Sequence, residues 1–238
     1  GVICSINPQG NIVDISHLVE PQNVLEGAFL ISNFYHFYPA GTIHVAVVDP
    51  GVGSDRRGLL IETENHLFIG PDNGLFTLVL KNEPIKRIIE LTNKDYFRKE
   101  VSATFHGRDI FSPVAAHASL GVSPESFGRV IDDPQRVSIP APFRSDHEIV
   151  GEILFIHAFG NAATNIRRSD LAHRDLDKAI VVAGRAKIKG ISRTYSDVEE
   201  GKPVALVGSS DCLEIAMNQG AAAEELDIDV RDKVKVFF

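Results

Sequence analysis

The sequence predicts an α/β protein: an N-terminal, mostly parallel sheet with flanking helices, followed by a smaller C-terminal β-barrel or sandwich. Three observations carry this reading. Residues 1–131 alternate strand-like and helix-like apolar patterns, as expected where helices cross over between strands. Residues 132–148 break the alternation with three prolines and six acidic or basic side chains, the composition of a linker. From residue 149 the helical signal fades into short β-rich runs separated by Gly and Asp turns. The domains expected are therefore 1–131, a linker at 132–148, and 149–238.

The elements follow in order. Residues 1–6 read as a strand already under way, and 11–15 as a second. Residues 23–38 space Val24, Ala28, Leu30, Ile31 and Phe34 for an amphipathic helix, stopped by Pro39 and Gly41. Residues 43–48 form an apolar strand. Residues 59–62 and 66–69 read as a hairpin about a polar turn. Pro71 to Leu75 is a turn that opens a helix over 75–80. Residues 85–91 are another strand. Residues 109–120 are a helix ended by Gly121. Strands are expected at 149–157, 179–182, 186–188, 203–207 and 233–238. Residues 213–217 and 220–226 are expected as a short helix and turn.

The bulk composition narrows the function. The chain has 238 residues, 44% hydrophobic and 24% charged, ordinary for a globular protein able to bury a core. A net charge of −8 without a basic stripe argues against nucleic acid as a partner. No apolar stretch approaches the roughly 18 residues of a membrane span, so no membrane partner is expected. Cys4 and Cys212 lie far apart, and the nine histidines show no metal-ligand spacing. The expected setting is cytoplasmic and reducing, with no metal in the site and no cofactor.

Two polar clusters point to chemistry. In VVDPGVGSDRR, an apolar strand delivers Asp49 into a Pro50–Gly53 turn, with Arg56 and Arg57 close behind. Ligands in open α/β sheets sit outside the carboxyl ends of strands, where this carboxylate stands. In TFHGRD, a β-prone run is followed by His106, Gly107, Arg108 and Asp109. Arg108 and Asp109 read as a structural pair. A GKS/T ending is absent from DPGVGSDRR, so a phosphate-cradling loop is a poor reading.

These motifs, together with INPQGNIVDISH, PDNGL, FGNAATNI and GSSDCLEIA in this order, resemble the S-adenosylmethionine hydroxide adenosyltransferases, relatives of fluorinase and chlorinase. The resemblance covers residues 6 to about 226. It implies hydrolysis of S-adenosyl-L-methionine to adenosine and L-methionine by displacement at C5′. It implies a homotrimer whose ligand sites lie between subunits. It carries the catalytic Asp–Arg–His set onto Asp49, Arg56 and His106; the halogenases differ at the Asp and His positions. It places Phe159 and Asn161 against the adenine, Ser209 and Ser210 near the methionine carboxylate, and Asp72 and Asn73 in support of the pocket. Tyr195 either flanks the adenine or packs in the core.

Two departures from the pattern are visible. Family members open with a TDFG segment ahead of the region that starts here at Gly1. They also place Asp, near the methionine ammonium, where this chain has His157; Asp211 is a candidate to compensate. Chemically, a sulfonium is an excellent leaving group and departing methionine needs no proton. The site must orient a water and give its proton somewhere to go. A neighbouring Arg favours neutral His106 and a nearby carboxylate the charged form, so the residues leave open which group is the base. Halide transfer to the same carbon, and binding of a nucleoside with little turnover, are the alternatives.

Overall fold

In the computed structural model, which describes Gly1–Phe238, the chain divides into two units between Ser138 and Ile139, inside the segment expected as a linker. The first unit is built on a five-stranded sheet. Its strands are β1 (Ile43–Val45), β2 (Gly58–Thr63), β3 (Leu67–Pro71), β4 (Ile85–Leu91) and β5 (Gly128–Ile131), in the order β1-β3-β2-β4-β5. Four helices accompany them: α1 (Val2–Ile6), α2 (Val24–Phe34), α3 (Thr77–Asn82) and α4 (Ser112–Ser119).

The α/β class holds, but this sheet is mixed rather than mostly parallel. Only β1 and β3 run parallel; β2–β3, β2–β4 and β4–β5 are antiparallel. The cause is the tight turn after β2. Thr63 Oγ1 accepts from the His66 amide at 3.0 Å, closing a hairpin where a crossover helix would have kept the strands parallel.

Strand alternation then sorts the core onto two faces. Leu59 and Ile61 point to one side, where Ile31 and Tyr35 of the α2 region, Phe68 and Val79 close the layer. Leu60 points to the other, with Ile69, Ile89, Phe111, Val114 and Phe127. Two expected strands are corrected. Residues 1–6 form the short helix α1, which packs on α4 and is followed by an Asn7 Nδ2 to Ser119 Oγ hydrogen bond of 2.8 Å. Packing overrides the weak local preference of these residues. Residues 11–15 run outside any ladder, with Ile12 and Val13 exposed, because strand geometry persists only where a partner strand bonds it.

The second unit is an antiparallel sheet of β7 (Glu148–Ile156), β8 (Ala162–Arg167), β9 (Ile180–Ala183), β10 (Ala186–Lys189), β11 (Pro203–Val207), β12 (Cys212–Met217) and β13 (Lys233–Phe237). The order is β10-β9-β13-β7-β8-β12-β11, with β6 (Phe143–Arg144) beside β7. A bridge between Ser192 and Leu206 draws the two ends toward each other, giving a nearly closed barrel. Residues 213–217, expected as a helix, are the core of β12. All six residues of that strand are buried, and a fully buried apolar run carries no period that separates strand from helix. α5 (Ala222–Leu226) follows it.

One buried feature of β1 has a measurable consequence. His44 is 3% exposed and stacks on Phe68, with its Nε2 3.4 Å from His66 Nδ1. Burial, and secondarily the charge of His66, push its pKa down to about 4. The unfolded chain therefore binds a proton that the folded chain refuses between about pH 6.5 and about pH 4, and stability falls as pH falls through that window. The loss is of order 3 kcal/mol when complete. Chemical unfolding at pH 7 and pH 5 should show a steeper loss in the parent than in His44→Leu.

Candidate active site

Asp49 stands four residues beyond β1, on the extension of a strand that begins at the parallel edge of the sheet. A turn follows at once: the Val52 amide bonds the Asp49 carbonyl at 3.3 Å and the Ser54 amide bonds the Gly51 carbonyl at 3.1 Å. The chain doubles back and brings Arg56 alongside Asp49. Arg56 Nε donates to Asp49 Oδ1 at 2.9 Å and to Oδ2 at 3.1 Å, and Nη2 donates to Oδ2. Both side chains are nearly shut off from solvent, at 10% and 5% exposure. The guanidinium also sits 5.3 Å above the ring of buried Phe111. Of the two arginines, Arg56 is thus the one that meets Asp49. Arg57 turns away to bond Asp72 Oδ2 at 2.8 Å and Asp133 Oδ1 at 2.7 Å.

His106 arrives on a different loop, and Gly53 is the hinge pin. Gly53 has φ of +80°, and a Cβ there would lie 2.2 Å from the Ala103 carbonyl oxygen. Only glycine lets the two loops approach so closely. His106 then meets Arg56, Nη2 to Nδ1, at 2.8 Å. Beyond it residues Gly107–Phe111 form a π-helical turn, a feature frequent at functional sites, rather than the start of an ordinary α-helix. Asp109 anchors this turn. It is fully buried, accepts from Arg108 Nε at 2.7 Å and from the Ser102 amide at 2.9 Å, and is held well below the usual carboxylate range chiefly by Arg108. Arg108 and Asp109 are the structural pair the sequence suggested.

The Arg56–His106 contact assigns a tautomer. An arginine has donors and no acceptor, so His106 Nδ1 must offer its lone pair and the ring hydrogen sits on Nε2. Burial first, and the Arg56 charge second, lower the His106 pKa, against the smaller opposing pull of Asp49 and Asp109. The imidazole is therefore neutral near pH 7. Beside Asp49 lies a cavity of about 1070 Å³, lined by Asp49, by Gly107 and Arg108 next to His106, and by apolar groups that include Val45, Val47, Leu30 and Phe105; Arg56 and His106 themselves are not on its wall. That is slightly above the range of about 300–1,000 Å³ typical of small-molecule sites.

The remaining predicted residues fall elsewhere. Asp72 and Asn73 do not line the cavity. Asp72 is buried between Arg57 and the Gln135 amide, and Asn73 Nδ2 holds the Val48 carbonyl, one residue before Asp49, at 2.8 Å. Phe159, Asn161, Ser209 and Ser210 belong to the second unit. Phe159 is 84% exposed on the loop between β7 and β8. Ser209 and Ser210 form the turn between β11 and β12. Asp211 is engaged with Arg168 at 2.7 Å. Sequence reasoning missed Glu214, a buried carboxylate of β12 that Tyr195 bonds from its hydroxyl at 3.3 Å. Its signal was an acid inside an otherwise apolar run, CLEIAM.

Both units match domains of one family. The SAM hydroxide adenosyltransferase N-terminal domain matches residues 1–128 and the corresponding C-terminal domain matches residues 151–235. The chain belongs to the SAM hydroxide adenosyltransferase family. It is similar to proteins named (R)-S-adenosyl-L-methionine hydrolase from Salinispora arenicola, 34% identical over 99% of this chain and 90% of that protein, and from Thermus thermophilus, 35% identical over 95% and 88%. A fluorinase of Nocardia brasiliensis is 26% identical over 99% and 90%. A solved structure of an uncharacterized conserved protein from Thermotoga maritima superposes with a TM-score of 0.92 at 34% identity, over 100% of this chain and 92% of that one.

Proposed function

We propose that this chain hydrolyses S-adenosyl-L-methionine to adenosine and L-methionine, without a metal, through a water that Asp49, Arg56 and His106 hold behind C5′. The observation that carries the reading is the unbroken chain of contacts from Asp49 through Arg56 to His106 beside a cavity large enough for a nucleoside. Relatives named as hydrolases are more similar to this chain than those named as fluorinases, which favours water over halide as the nucleophile.

The tautomer decides the roles. With Nδ1 committed to Arg56, His106 has only the Nε2 hydrogen to offer. It donates to the water and orients it, and does not take its proton. One lone pair of the water receives that bond and the other faces C5′. The Nε2 hydrogen points away from Nδ1, and so away from Arg56 and Asp49; Asp49 stays paired with Arg56 and holds the imidazole in place through it, while the water's proton passes to solvent. The C5′–O bond forms as the C5′–S bond breaks, and sulfur leaves as a neutral thioether with both bonding electrons. The positive charge of the sulfonium thus ends as a proton released to solvent. Phe159, Asn161, Ser209 and Ser210 would bind the ends of the substrate, contributed by a neighbouring subunit of a homotrimer.

His106→Ala tests the reading. Loss of a water-orienting donor should lower kcat about 100-fold with KM little changed. In the parent, kcat/KM should hold constant as pH falls to about 6.5 and decline only below it: protonation removes the Nδ1 lone pair that meets Arg56, and His106 takes that proton below its ordinary value of 6.5. Adenosine and methionine should form in equal amounts, independent of added chloride or fluoride. An unimpaired His106→Ala variant would remove the imidazole from the mechanism.

A further inference from the structure

After β5 the chain runs through residues 133–137 as a strap that belongs to no ladder. Alternate residues of the strap bond Arg57, Asp72 and Thr77 in turn. Asp133 accepts from Arg57 at its Oδ1 and at its carbonyl, each at 2.7 Å. The Gln135 amide donates to Asp72 Oδ1 at 2.7 Å, and the Val137 amide donates to Thr77 Oγ1 at 2.9 Å. Gly74, with φ of +94°, seats the strap: a Cβ there would fall 2.5 Å from Val137 Cγ1 and 2.7 Å from the Val137 nitrogen. Arg57 is the junction between strap and site. Its Nε donates to Asp72 Oδ2 at 2.8 Å, and that carboxylate is 2% exposed. Its carbonyl accepts the Asp72 amide at 2.9 Å and Arg56 Nη1 at 3.2 Å. The second of these is the hydrogen bond of the Arg56 guanidinium that goes to neither Asp49 nor His106. Arg56 is thereby held at Nε, Nη1 and Nη2, and a planar fork held at all three nitrogens keeps one orientation.

We infer that Arg57 is a positioning residue for the reaction: it fixes the carbonyl that orients Arg56, and the strap at 133–137 in turn fixes Arg57. The inference rests on the proposed hydrolysis of S-adenosyl-L-methionine for its kinetic readout. An ion pair between exposed side chains would contribute little. This one joins a buried carboxylate to a backbone carbonyl that serves the site. The fork of Arg57 is needed because one side chain must reach Asp72, Asp133 Oδ1 and the Asp133 carbonyl together. The consequence reaches His106. Its ring is faced by Arg56, Asp49 and Asp109, and of these Arg57 bonds Arg56. A looser Arg56 sets less positive charge against the imidazole, which then takes its proton at higher pH.

Arg57→Lys tests this, since it keeps a positive charge against buried Asp72 and loses the fork that reaches Asp133. It should lower kcat about 10-fold, with KM for S-adenosyl-L-methionine changed less than about 2-fold. The acid decline of kcat/KM should begin at higher pH than in the parent. The His106 ring, followed by NMR in the protein without substrate, should also titrate at higher pH. A role in stability alone would leave both pH readouts unmoved. Asp133→Ala alters a side chain that is 72% exposed and should move the same readouts in the same direction. Its kcat should fall about 3-fold, as for the loss of one exposed ion pair. The inference is overturned if Arg57→Lys keeps either the parental kcat or the parental His106 titration. Should that variant not fold, the same results in Asp133→Ala overturn it. A parent that leaves S-adenosyl-L-methionine intact overturns the proposed hydrolysis instead. The His106 titration then decides this inference by itself: a ring that titrates at higher pH in the variants supports it, and an unmoved ring overturns it.

Discussion

Arg56→Ala should reduce adenosine release by about 1000-fold or more and lower stability by roughly 3–5 kcal/mol. Both effects come from one side chain with two partners. Arg56 is the only group that touches both Asp49 and His106 in this cluster. Without it, Asp49 becomes a carboxylate at 5% exposure with no counter-charge, and His106 loses the contact that fixes its tautomer. Arg56→Lys separates the two effects. A lysine restores a positive charge, and with it part of the stability. Its single ammonium lacks the planar fork that reaches Asp49, His106 and the Arg57 carbonyl together, so activity should remain about 100-fold down. The double variant Arg56→Met with Asp49→Leu removes both charges. It should recover much of the thermal stability and none of the activity, since a buried pair contributes less to stability than to arrangement. Unfolding midpoints and initial rates on the three proteins decide the matter.

Gly53→Ala should lower kcat/KM about 100-fold while the protein still folds. The Ala103 carbonyl leaves no room for a methyl group, and φ of +80° disfavours any side chain there. The loop bearing His106 must then retreat from the loop bearing Asp49 and Arg56. A displacement near 1 Å of an orienting group can cost about 100-fold in rate. Gly41→Ala is the control. Gly41 also has positive φ, +88°, but nothing lies within 4 Å of where its Cβ would stand. It should lose about 1–2 kcal/mol of stability from backbone strain alone and keep its kcat. Equal kcat values in the two variants would show that loop spacing at Gly53 does not matter.

Local motifs were the legible part of this site. Asp49 and Arg56 fall within one turn, so their spacing in the sequence is nearly their spacing in space. His106 was legible by residue type and by family pattern, but its contact with Arg56 depends on Gly53 accepting a carbonyl from residue 103, which no local pattern encodes. The tautomer followed only from that contact. Asp72 sits in a turn that reads as a pocket, yet its side chain ties Arg57 to the chain at Gln135, a long-range pairing. Glu214 escaped notice for the opposite reason. Its neighbours are so uniformly apolar that the run reads as core, and only the fold sets its carboxylate against Gly208 and the Tyr195 hydroxyl. The same ambiguity of buried apolar runs turned an expected helix at 213–217 into β12. Helix α2 and strand β4, by contrast, had clear periodicity and turn signals, and they stand close to where the pattern put them.

The source of the 5′ oxygen is the most direct test of the central claim. The purified chain is incubated with S-adenosyl-L-methionine in water enriched in oxygen-18, and the released adenosine is weighed by mass spectrometry. A solvent molecule held by Asp49, Arg56 and His106 predicts one heavy oxygen per adenosine, on the 5′ carbon, in the parent, and a matching loss of labelled product in Arg56→Ala. Adenosine without the label, or a 5′-halogenated nucleoside in its place, would contradict the account.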